Sequence, residues 1–129
     1  MDYTVVHDPQ ADLIIATAGG QWEAEKDDAM IWQVVEQIRA TGVRRVLVDI
    51  RTLKNIDLSI LRLYERARML QERRDELALA SVRAALVYPT SEKKQTESYR
   101  FFETVARNRG LPYRLFGDFE EAIAWLKSS

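Results

Sequence analysis

Few side chains in this 129-residue chain could do chemistry, and their spacing limits what they can do. There is one histidine, His7, and no cysteine. A metal site needs clustered His, Cys, Asp or Glu ligands; His7 has no partner at ligand spacing, so no metal is expected. A serine triad would have to use the same His7, and no Gly-x-Ser-x-Gly elbow offers a nucleophile. The pair Gly19-Gly20 lacks the further glycines and the lysine of a phosphate loop. Asp49 closes one apolar run, and Thr90 and Ser91 follow the next, as a phospho-acceptor receiver would require. A receiver also needs an acidic pair after its first parallel strand to cage magnesium. Gly19, Gly20 and Gln21 stand there, and Arg114 lies inside the final strand where a lysine should follow it. That reading fails. No cofactor is expected, and the chain reads as a non-enzyme.

Two groupings remain. Asp49, Arg51 and Thr52 at a strand end could hold a polar ligand, although such residues more often satisfy loop backbone groups. Trp22, Trp32 and Trp125 could floor an apolar pocket, or serve as core and interface aromatics.

The elements that must position these residues follow from period and punctuation. Apolar residues make up 47% and charged residues 30%, which suits a globular domain with one core spanning residues 1–129. With 19 basic and 20 acidic side chains the net charge is −1, so no nucleic-acid partner is expected. The start Met1-Asp2-Tyr3-Thr4 carries no signal-peptide pattern. The apolar runs are too short for a membrane span, and a cytoplasmic location is expected. Tyr3 to His7 and Leu13 to Ala18 read as a hairpin around Asp8-Pro9-Gln10-Ala11-Asp12, with Gly19-Gly20 breaking the second strand. Ile31, Val34, Val35 and Ile38 mark an amphipathic helix over about 23–41, followed by Gly42. Arg45 to Ile50 is a buried strand. Asp57 is the expected cap of a second helix with Ile60, Leu63, Tyr64, Ala67 and Leu70 toward the core. Its charges, Arg62 to Arg74, are expected mostly on a solvated face. Arg83 to Tyr88 is a strand, and Ser91 to Arg109 a helix burying Tyr99, Phe102, Val105 and Ala106 and stopped by Gly110 and Pro112. Tyr113 to Phe116 is the last strand, and Asp118 caps the last helix.

The order β-β-α-β-α-β-α-β-α implies an α/β fold: a mostly parallel five-stranded sheet with one antiparallel edge strand and four helices. In such sheets ligands gather beyond the carboxyl ends of the strands. Trp22, Asp49, Thr52, Tyr88 and Thr90 lie on that rim.

The element order, with Val46-Leu47-Val48-Asp49-Ile50 running on to Asp57-Leu58-Ser59-Ile60-Leu61, resembles the STAS family of anti-sigma-factor antagonists and sulphate-transporter domains. The ending Phe116-Gly117-Asp118-Phe119-Glu120-Glu121-Ala122-Ile123-Ala124-Trp125-Leu126 resembles stand-alone bacterial relatives of that family. In the antagonists a helix opens with Asp-Ser-Ser-Gly and a partner kinase phosphorylates the second serine. Matching Asp57 to the aspartate places Ser59 at the acceptor, with Leu58 and Ile60 departing from the pattern. The resemblance implies a regulatory, protein-binding module. Its surface is expected to include Arg51, Lys54, Ser59, Arg62 and Arg66, because Arg62 and Arg66 share a helix face. The group is also similar in fold to CRAL-TRIO lipid carriers, which implies as an alternative a small apolar ligand at the strand-end rim. Apolar strands and spare aromatics suggest a homodimer.

Overall fold

Val46, Leu47 and Val48 are consecutive in sequence and all buried, because the strand carrying them is covered on both faces. The computed structural model describes residues 1–73, 81–90, 93–108 and 113–128. Its described elements are β1 (Asp2–Asp8), β2 (Leu13–Gln21), α1 (Ala24–Thr41), β3 (Arg45–Lys54), α2 (Ile60–Glu72), β4 (Arg83–Val87), α3 (Lys93–Asn108), β5 (Tyr113–Phe116) and α4 (Phe119–Lys127). The sheet order is β1-β2-β3-β4-β5. β1 pairs antiparallel with β2, and the remaining neighbours are parallel. The expected α/β architecture is therefore the one observed. Arg74, Ser91, Arg109, Gly110 and Pro112 lie outside the described residues.

The sequential strand order has a consequence for layering. Each crossover steps the same way across the sheet, so connections of one hand leave their helices on one face. Ile14, Val46, Val48 and Leu86 point to that face and bury Met30, Ile31, Val34, Val35 and Ile38 of α1. Leu63 and Ala67 of α2 join Phe102, Val105 and Ala106 of α3 beside β5. The alternate residues Leu13, Leu47, Ala85, Val87 and Phe116 face the other way and bury Ala122 and Leu126 of α4. The apolar strands are thus covered within one chain.

Several local expectations are corrected. β2 does not stop at Gly19-Gly20; it runs to Gln21 through a register shift between Thr17 and Gly19. A Cβ on Gly19 would lie 2.8 Å from Thr52 Oγ1, and Gly20 sits at φ 83°, so the two glycines carry the strand through a bulge instead of ending it. β3 likewise extends to Lys54. The cap of α2 is Ser59, whose Oγ accepts from the Arg62 amide at 3.2 Å. Asp57 accepts from the Ser59 amide at 2.9 Å and forms the turn that leads into the cap. Asp118 caps α4 as expected, accepting from the Glu121 amide at 3.1 Å.

Candidate functional site

The first turns of α2 hold both an inner polar cluster and an outer apolar patch. On a helix wheel Arg62, Leu63, Arg66, Ala67 and Leu70 form one face. Leu63 and Ala67 are buried, so the two arginines are carried inward beside them. They meet Asp27 and Asp28, from the start of α1. Arg62 Nη2 lies 3.1 Å from Asp27 and 2.8 Å from Asp28. Arg66 Nη2 lies 2.8 Å from Asp27 and 3.1 Å from Asp28. The Trp22 indole donates to Asp27 at 3.1 Å, and the Arg62 guanidinium lies 5.3 Å from the centre of the Trp22 ring. Only 13% and 12% of the Arg62 and Arg66 side chains are exposed. Most of the α2 charges lie on a solvated face as expected, with Glu65, Arg68, Glu72 and Arg73 exposed, but Arg62 and Arg66 depart from it and bind α2 to α1. Burial acts to raise the Asp28 carboxyl, but Arg62 and Arg66 outweigh it and hold it below the usual range. Burial acts to lower the Arg62 guanidinium, and Asp28 and Asp27 outweigh that, raising it.

Turning Arg62 and Arg66 inward rotates other residues outward. Ile60 and Tyr64, expected toward the core, are exposed, with Ile60 at 61% and its neighbour Leu61 at 70%. Phe101 of α3 is exposed as well, and it lines a groove with Leu58, Ile60 and Leu63. Ser59 is exposed immediately before this patch. The Ser59 amide holds the Asp57 carboxyl below its ordinary range.

The remaining residues singled out in the sequence do not gather with Ser59. Arg51 is half-exposed and forms a fork on Asp49 at 2.9 and 2.8 Å, while stacking over Phe119 on the α4 face. Burial acts to raise the Asp49 carboxyl, and its bonds to Arg51 outweigh that and lower it. Thr52 donates to the Ala18 carbonyl at 3.4 Å. Tyr88 is buried and stacks on Tyr99, and the Thr90 methyl packs toward Gly117. Lys54 is exposed at the end of β3. Trp22 belongs to the arginine cluster; Trp32 lies under Arg73 and Trp125 under Arg83. The rim therefore does not converge on one point, and the three tryptophans occupy three places, each beneath an arginine. His7 pairs in register with Ile14 in the β1–β2 ladder. Among the described residues no group of three or more His, Cys, Asp or Glu could hold a metal ion, and no helix is long and apolar enough to cross a membrane.

Sequence reasoning missed Asp27 and Asp28 entirely. The one available signal was the i, i+4 spacing of Arg62 and Arg66 on the same side as Leu63 and Ala67. Two arginines beside an apolar stripe need acids across the interface.

No family model matches the sequence, and no curated protein matches it. Solved structures do. The unphosphorylated form of the anti-sigma factor antagonist SpoIIAA superposes with a TM-score of 0.63 at 13% identity, covering 98% of this chain and 96% of that one. An uncharacterized protein of the DUF3478 family from Shewanella loihica PV-4, described as having a SpoIIAA-like fold, superposes at 0.56 with 16% identity. That match covers 96% of this chain and 93% of the other. The fold is STAS-like.

Proposed function

We propose that this chain is a non-enzymatic regulatory module that docks a protein partner through the N-terminal half of α2 and the adjoining side of α3. The observation that carries this is the exposure of Ile60, Leu61 and Tyr64 on α2 and Phe101 on α3, with Ile60 and Phe101 lining one groove. Exposed apolar side chains that cluster, rather than scatter, mark interaction surfaces. The inward pairing of Arg62 and Arg66 fixes the helix that presents them.

Ser59 supplies a switch at the edge of this patch. Phosphorylation by a partner kinase would add about −1.5 to −2 charges at a helix N-terminus, where free amides and the dipole favour an anion. Asp57 opposes that charge at close range, so the modification would reshape the cap instead of simply strengthening it. Arg51 and Lys54 lie outside the patch and serve as secondary contacts in this reading, while Arg62 and Arg66 act by positioning α2. The protein would work in the cytoplasm.

The experiment compares affinity capture by the wild type with capture by Leu61→Asp, Phe101→Asp and Ser59→Glu, each verified as folded by circular dichroism. A partner enriched by the wild type should be lost with both aspartate variants and altered by Ser59→Glu. Retention of the same partner by both aspartate variants would refute the assigned surface.

A further inference from the structure

The two edges of the sheet are built differently. β5 has four residues, and its Leu115 amide donates to Glu103 Oε2 at 2.7 Å instead of to a neighbouring strand. Arg107 donates to the other Glu103 oxygen at 3.0 Å, so a side chain of α3 closes that edge. β1, at the opposite end of the sheet order, has seven residues in unbroken register with β2. Proteins blunt an exposed edge with charge, proline, a bulge or short length. The stretch Tyr3-Thr4-Val5-Val6-His7 uses none of these devices. It carries no Asp, Glu, Lys or Arg, no proline and no register shift, and Val6 is 51% exposed on it. One edge closed and the other left open, in the same sheet, marks β1 as a strand-pairing surface.

The flanking surface selects a second copy of the chain as the occupant. α1 packs over β1 and β2, and Gln33 Nε2 donates to the Tyr3 hydroxyl of β1 at 3.1 Å. Ala29, Gln33, Gln37 and Ala40 follow at spacings of four, four and three, so they share the side of α1 that leans toward β1. None is charged. Strands lie about 4.8 Å apart, so two β1 edges joined across a two-fold axis set the α1 helices about 10 Å from each other. Helices pack side by side at about 8–10 Å, and the uncharged sides would meet. Charge also fixes the register. Residues that oppose across the axis share a face of the sheet, so the axis passes through Thr4, Val5 or Val6. At Val5 it would set Asp2 against Asp8 of the second copy, and at Thr4 it would set Asp2 against Val6. At Val6 the two exposed valines meet, Val5 opposes His7, Thr4 opposes Asp8, and no like charges face each other.

We propose that β1 pairs antiparallel with β1 of a second copy, centred on Val6, joining two five-stranded sheets into one of ten strands. The pairing leaves the α2 patch free, because α2 packs with α3 beside β5. The test combines sedimentation equilibrium of the full chain with disulfide trapping. The chain has no cysteine, so each single-cysteine variant reports one position. The mass should rise with concentration toward twice that of the chain. Val6→Cys should crosslink to its own copy under mild copper-catalysed oxidation, since directly opposed Cβ atoms lie about 4.5–5.5 Å apart. Thr4→Cys should not, because the two copies of position 4 are four residues apart along the pair, about 14 Å. Val6→Lys sets like charges across the axis at an exposed position and should weaken association about 10-fold or more. Gln33→Glu, whose carboxylate can still accept from Tyr3, should weaken it through the α1 contact. Three outcomes would overturn the proposal: a single-chain mass up to the solubility limit, equal crosslinking at positions 4 and 6, or undiminished association in either charged variant.

Discussion

Asp27→Asn tests whether the cluster beneath α2 holds the fold together. The carboxylate accepts from Trp22, Arg62 and Arg66 at 3.1, 3.1 and 2.8 Å and is only 16% exposed. Breaking a buried ion pair from one side costs about 3–5 kcal/mol, because the partner charge is left uncompensated. Two features reduce that figure here. Asp28 still faces both arginines, and the asparagine carbonyl can keep one of the three bonds. Loss of a negative charge near the start of α1 adds a few tenths of a kcal/mol through the helix dipole. The expected destabilisation is about 2 kcal/mol, or roughly 6–9 °C in Tm for a domain of this size. Urea unfolding of the wild type, Asp27→Asn, Arg66→Met and the double variant would give the coupling, expected to be about 1 kcal/mol or more. The exposed pair Arg68–Glu72, 3.7 Å apart, is the control, and Glu72→Gln should cost less than about 0.5 kcal/mol. If Asp27→Asn costs no more than that control, the cluster does not hold α2 against α1.

Ser59→Ala should cost about 1 kcal/mol in urea unfolding through loss of the α2 cap, and Ser59→Asp should recover most of it. Gly19→Ala places a Cβ 2.8 Å from Thr52 Oγ1 and should cost about 1–3 kcal/mol; adding Thr52→Ala should recover part of that. Asp28 has a folded-state pKa below its ordinary 3.8, so its contribution is present above that value and is lost as pH falls through the folded one. Stability measured from pH 6 down to pH 3 should therefore decline less steeply in Asp28→Asn than in the wild type.

The element order was legible because each element carries its own period and punctuation. Val46 to Val48 announces a strand covered twice, Gly42 closes α1 at φ 74°, and Asp118 opens α4. What escaped depends on partners far away in sequence. A glycine pair reads as a break until Thr52, on a neighbouring strand, shows why a side chain cannot stand at Gly19. Asp57 and Ser59 are both good caps, and only the backbone geometry decides between them. The face of α2 was the larger miss. Ile60 and Tyr64 fit the apolar stripe as well as Ala67 and Leu70 do, and only Asp27 and Asp28, more than 30 residues upstream, rotate the helix toward Arg62 and Arg66. The candidate site was therefore only half legible. Ser59 was singled out only through the family resemblance, and neither its role as the α2 cap nor the cavity of about 60 Å³ on the inner side of the helix could be read from the sequence.

Site-specific photo-crosslinking in cells tests the docking surface most directly. A photoreactive phenylalanine at Leu61 is compared with one at exposed Ala124 on α4. The account predicts a discrete adduct from position 61 that disappears with Phe101→Asp, and none from position 124. The same adducts from both positions, or an adduct at 61 indifferent to Phe101→Asp, would contradict it.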